Sequence, residues 1–299
     1  PMQTSYQVVK NAVHFKSPDR IPVQCSWYGI SDTYGVDWGK PNTVIDDYNY
    51  TDFWGCGWRK VRKDNMGQIV KHPLADWDNL GEYQFPDPKQ SEFYSMIESS
   101  LVGSENKYVV ITIFLLIIDR LFGLRGFENT LTDLYLDRQK IENLADRIVD
   151  FHISTMNTIA SMFPGRIHAM NFADDWGTER QAYVPVELWD EFFKPKYKKI
   201  FDSCKQNGWD IWMHSCGRIN KIIPSLIDIG LDVINMSQPI TNGIDEIGSQ
   251  FAGKLCFQAC CDIQKTLPFG SDQEIEQEAK DLILKWGTDK GGIIFSDYG

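Results

Sequence analysis

The chain has 299 residues, 42% of them hydrophobic and 24% charged, which suits one large α/β barrel or two ordinary domains. A net charge of −11 excludes the basic footprint of a general nucleic-acid binder. Seven irregularly spaced cysteines do not make a disulfide framework, and no apolar run is long enough to cross a bilayer as a helix.

A first helix is expected over 6–15. The turn Ser17-Pro18-Asp19-Arg20 then leads into a strand at 21–25, followed by Ser26-Trp27-Tyr28-Gly29. Residues 51–88 change character. Trp54, Trp58 and Trp77 lie among glycines and prolines with little helical period, and short antiparallel strands are expected near 59–61 and 67–70. We read this stretch as an insert over the barrel mouth, within a single domain spanning 1–299. Tyr108 to Phe114 is too β-branched and too short for a helix and reads as a buried strand. Amphipathic helices follow at 127–136 and 139–162.

From Arg166 onward, strands and helices alternate. Strands are expected at 166–173, 210–216, 232–236, 255–260 and 292–296, and helices at 185–206, 219–229, 244–250 and 273–286. This alternation means parallel strands with crossover helices. At this length it predicts a (β/α)8 TIM-type barrel, with the insert in its N-terminal half. No Gly-x-Gly-x-x-Gly follows any strand, so the open doubly wound sheet is the weaker reading. A closing helix would be expected beyond the last strand. With no charged-then-apolar leader at the N-terminus, a cytoplasmic protein is expected.

In such a barrel the chemistry gathers at the carboxyl ends of the strands. Those ends supply Trp27 and Tyr28; Asp174 and Asp175; His214 and Cys216; Ser237 and Gln238; Cys260, Cys261 and Asp262; Ser296 and Asp297. Alternation along a strand puts Trp212, His214 and Cys216 on one face. An imidazole and a thiol two residues apart at a strand mouth can share one zinc ion. The parity of Leu255 to Cys260 points Gln258 and Cys260 into the barrel, making Cys260 the preferred third ligand and Cys261 its alternative. Asp174 and Asp175 are candidate acid/base or metal-side carboxylates; a helix cap is the plainer role for one of them. Trp27, Tyr28 and Gln238 are expected to contact substrate.

Several segments together resemble the uroporphyrinogen decarboxylase superfamily. They are Leu124-Arg125-Gly126-Phe127-Glu128-Asn129, Phe172-Ala173-Asp174-Asp175-Trp176-Gly177, Phe193-Lys194-Pro195-Lys196-Tyr197, His214-Ser215-Cys216-Gly217 and Asp262-Ile263-Gln264. The decarboxylases proper carry an arginine-containing motif after the first strand. Here that region reads Gln24-Cys25-Ser26-Trp27-Tyr28-Gly29, without arginine. His214-x-Cys216 is instead similar to the zinc motif of the corrinoid-dependent methyltransferases of the superfamily.

That resemblance implies a zinc ion at the barrel mouth and methyl exchange with cobalamin held by a corrinoid-binding partner protein. The thiol-methylating members bring a third ligand, a cysteine, from the final strand, where this chain has Ser296, Asp297 and Tyr298. Cys260, Cys261 or a carboxylate must then complete the site, and a methoxylated aromatic or a methylamine becomes the expected methyl donor. Two other readings stand beside this one. A metal-free decarboxylase or lyase of a small acid would need arginines at the mouth, for which Arg120, Arg125 and Arg180 are the candidates. The other is a non-catalytic corrinoid- or substrate-binding protein.

Overall fold

Short blocks rich in valine, isoleucine and aromatics form the barrel staves. In the computed structural model, which describes residues 2–298, these are β1 (Val23–Cys25), β2 (Thr33–Val36), β3 (Tyr108–Phe114), β4 (Ala169–Ala173), β5 (Asp210–His214), β6 (Val233–Met236), β7 (Cys256–Ala259) and β8 (Ile293–Ser296). Their order around the sheet is β1-β8-β7-β6-β5-β4-β3-β2, and every neighbouring pair in that order is parallel. A two-residue strand, Ile30–Ser31, runs antiparallel to β1 at the seam. The result is a nearly closed TIM-type barrel.

Only β2 has no counterpart among the expected strands. It is four residues long and interrupted by Gly35, which weakens any periodic signal.

The main helices are α1 (Ser5–Val13), α2 (Ile118–Arg125), α3 (Phe127–Leu136), α4 (Arg138–Met162), α5 (Lys194–Gln206), α6 (Ile223–Asp228), α7 (Ile244–Phe251) and α8 (Asp272–Trp286). Capping boxes start two of them, Thr4 with Gln7 on α1 and Ser271 with Glu274 on α8. The expected single helix over 185–206 is instead interrupted by a wide π-type turn at Trp189–Phe193, just before Pro195. Proline lacks an N–H and its ring collides with the carbonyl four residues earlier, so the chain widens to pass it.

Strand parity builds two cores. Outward residues such as Ile211, Met213, Ile234 and Phe257 pack with the surrounding helices. Inward residues Tyr108, Val110, Trp212, Val233, Cys256 and Ile294 fill the barrel floor, where Val9 and Val13 of α1 plug the amino-terminal end. A second, antiparallel sheet of four strands (Thr43–Val44, Asn49–Thr51, Gly57–Arg59, Gln68–Lys71) follows β2. It begins ahead of residue 51, where the sequence first changes composition. Among the described residues, no helix is long and apolar enough to cross a membrane.

Candidate active site at the carboxyl end of the barrel

The site is built where two adjacent strands end. The turn after β4 and the turn after β5 touch with no room between them. Gly217 adopts φ +82°, and a Cβ there would lie 2.1 Å from the Gly177 carbonyl oxygen. Only glycine fits that crossing. Hydrogen bonds then lace the turns together: Trp176 N–H to Ser215 Oγ (3.0 Å), Arg218 N–H to the Thr178 carbonyl (2.8 Å) and Cys216 N–H to Asp175 Oδ1 (2.7 Å).

This rigid crossing brings Asp175, His214 and Cys216 together. Their ligand atoms all lie within 4.8 Å of one another, the one group of three or more such side chains among the described residues. Cys216 Sγ is 3.5 Å and Asp175 Oδ1 3.7 Å from His214 Nε2. Asn235, beside His214 in the β5–β6 register, fixes the ring. Its Nδ2 donates to the Gln258 carbonyl (3.2 Å), so its Oδ1 turns to His214 Nδ1 and accepts the proton there. Nε2 is thereby left with its lone pair facing the thiol and the carboxylate.

The electrostatics favour a cation. Burial, then the Asp175 carboxylate, push the Cys216 thiol up to about 12. Asp119, at the start of α2, accepts the Asp175 N–H (2.7 Å). Burial and the neighbouring Asp174 and Asp175 raise its carboxyl well above the ordinary range. Among the described residues, no lysine or arginine forms an ion pair with Asp119, Asp174 or Asp175. A divalent ion would relieve this crowding and release the thiol proton. One imidazole nitrogen, one sulfur and one carboxylate oxygen fit a zinc ion held by three protein ligands with one position open.

Other expected site residues lie elsewhere. Asp174 is fully buried. It accepts the N–H groups of Ile117, Ile118 and Asp119 and the Tyr197 hydroxyl, so it caps α2 rather than meeting substrate. Burial raises its carboxyl to about 6 despite those bonds. Gln238 spends its side-chain oxygen on the Gly217 N–H (2.7 Å) and supports the glycine turn. Cys260 joins no metal-binding group. It follows β7, two strands around the barrel from β5, and two strand spacings are about 10 Å. Cys261 turns outward, its Sγ 3.5 Å from the Ile275 carbonyl on α8.

Trp27 and Tyr28 are 76% and 78% exposed, on a 3-10 turn at the rim rather than in a pocket wall. Arg125 is buried against Asp133 (2.8 Å) and the carbonyls of Leu74 and Ala75, away from the mouth. Arg180 is exposed. Arg120 pairs with Asp52 (2.8 Å) and lines a cavity of about 520 Å³ beside β3.

Asp119, Tyr183 and Asn235 are site residues that sequence reasoning missed. Burial, and then the nearby Asp119, Asp175 and Cys216, raise the phenol of Tyr183. An aspartate directly after an apolar run is the one trace of Asp119 in the sequence.

No curated protein matches the chain significantly. Its fold is similar to that of a methyltransferase from Methanosarcina mazei, at 14% identity and a TM-score of 0.70, covering 99% of this chain and 93% of that one. The family model for uroporphyrinogen decarboxylase (URO-D) matches residues 109–297, a span that carries β3 to β8 and the whole Asp175–His214–Cys216 group. The chain therefore belongs to the uroporphyrinogen decarboxylase family.

Proposed function

We propose that the chain is a zinc-dependent methyltransferase. It moves a methyl group between a small methylated substrate, such as a methoxylated aromatic or a methylamine, and cobalamin on a corrinoid-binding protein. The observation that carries this reading is the convergence of Asp175, His214 and Cys216 at the mouth of a URO-D family barrel. Of the three third ligands the sequence left open, Cys260, Cys261 or a carboxylate, this reading takes the carboxylate of Asp175.

Those three side chains would hold the zinc ion, which supplies Lewis acidity to the heteroatom that loses or gains the methyl group. The chain's own part is to aim. Asn235 keeps His214 Nε2 free for the metal, Asp119 holds the Asp175 backbone, and the Gly177–Gly217 crossing fixes the distance between the two turns. Exposed Trp27 and Tyr28, directly after β1, and Phe114, the last residue of β3, stand at the same end of the barrel and offer an apolar rim for a protein partner. The metal-free decarboxylase reading leaves the three metal donors without a role, and two of the arginines near the mouth, Arg120 and Arg218, are already paired with Asp52 and Glu246.

The test is metal analysis of purified protein together with methyl transfer to free cob(I)alamin, followed by its absorbance. Wild-type protein should carry stoichiometric zinc and transfer methyl; Cys216→Ala should lose both. A zinc-free wild-type protein that still transfers methyl would sink the mechanism.

A further inference from the structure

The cavity of about 520 Å³ lies between the antiparallel sheet and the β2–β3 side of the barrel mouth. Its walls are aromatic: Trp38, Phe53 and Phe114, with Tyr50 and Trp58 stacked at 5.5 Å and 10° between planes. Its volume is in the range of small-molecule sites. Arg120 reaches the same cavity from α2. Arg120 is 4% exposed, yet among the described residues only its Nη1 is bonded, to Asp52 Oδ2 (2.8 Å) and weakly to Cys56 Sγ (3.6 Å). Its Nε has no partner.

Asp52 has no oxygen to spare. It also accepts from the N–H groups of Trp54 and Cys56 and from Trp58 Nε1. Lys40 adds a second cation to the lining, and Asp37 stands exposed at the rim.

Two links tie this cavity to the metal-binding group. Asp119 and Arg120 are consecutive: the first bonds the Asp175 N–H, and the second lines the cavity. Phe114, on the cavity wall, pairs with Ala173, which pairs with His214. The wall and the metal ligand therefore stand at the same height, two strands or about 10 Å apart.

We propose that this cavity binds a planar aromatic carboxylic acid, its ring between the aromatic walls and its carboxylate on the unbonded edge of Arg120. A ring carrying its carboxylate at one end and a methoxy group at the other has the shape to reach from Arg120 toward His214. That placement rests on the methyl-transfer reading, whereas the binding itself does not.

The test is calorimetric titration with 4-methoxybenzoate. Binding is expected to wild-type protein and equally to Cys216→Ala. The methyl ester, which lacks the charge, should bind about tenfold more weakly or worse, as loss of a charged hydrogen bond requires. The saturated-ring acid should also bind more weakly, for want of stacking. The paired variant Arg120→Gln with Asp52→Asn keeps the charge balance and should lose the preference for acid over ester. Absence of binding to wild-type protein would overturn the proposal, and so would an ester that binds as tightly as the acid. Binding of 4-methoxybenzoate without methyl transfer from it would leave this site standing and overturn only the placement of its methoxy group against the metal-binding group.

Discussion

The two ends of the barrel treat their acidic groups in opposite ways. At the amino-terminal end Asp210 is buried but fully partnered: Lys10 Nζ and His14 Nε2 lie 2.9 Å away, and the Tyr108 hydroxyl also donates. Burial would raise its carboxyl, but the bonds from His14, Tyr108 and Lys10 outweigh it and hold the group below the usual range. At the carboxyl end Asp175, His214 and Cys216 face one another without a cation, and burial with carboxylate charge drives the thiol up. The first arrangement is closed and stabilises the fold. The second gathers an imidazole, a thiol and a carboxylate with no lysine or arginine paired to them among the described residues, the donor set that suits a divalent cation.

The largest effect should come from the crossing that makes the second arrangement possible. Gly217→Ala places a methyl against the Gly177 carbonyl in a left-handed conformation. Strain and overpacking together should cost about 3 kcal/mol or more. Urea unfolding and zinc content should fall together; loss of stability with zinc retained would show that the two turns can separate without moving the ligands.

Asp210→Asn attacks the closed end and should cost about 2 kcal/mol at neutral pH, leaving zinc content unchanged. The sign of its pH dependence follows from the depressed folded value. The carboxylate stabilises the protein above the unfolded-state pKa of about 4, and that contribution is lost as pH falls through the folded value. Lys10, His14, His168, Tyr108 and Asp232 are the titratable groups around it. In urea titrations the gap between wild type and variant should close as pH falls below about 4.

Asn235→Ala should leave folding nearly intact and weaken zinc binding by about 10- to 100-fold, through loss of the bond that orients His214. Competition with a chelator measures it. An unchanged affinity would mean that the ring is held by packing alone.

The barrel was legible because β-branched blocks repeat between amphipathic helices, and the His214–Cys216 pair because alternation fixes a face. Alternation says nothing of distance around the barrel, however. Cys260 has the right parity and stands two strands away, whereas Asp175 closes the neighbouring strand. Asp174 and Asp175 are adjacent in sequence and diverge because α2, more than fifty residues earlier, presents three N–H groups to the first. The Arg120–Asp52 pair joins positions 68 residues apart, and no local pattern encodes it.

The smallest effect on the fold should come from the rim. Trp27 and Tyr28 are more than three-quarters exposed, so replacing either by alanine should change stability by less than about 0.5 kcal/mol. If that rim receives a corrinoid-binding protein, the same substitutions should raise the apparent KM for the protein-bound corrinoid. They should leave transfer to free cob(I)alamin as it was, because neither side chain belongs to the metal-binding group. Aromatic anchors at a protein contact commonly carry more than 1 kcal/mol each, or about a fivefold change. A parallel loss with both acceptors would move Trp27 and Tyr28 from the partner surface into the substrate path; no loss with either would leave them without a function in transfer.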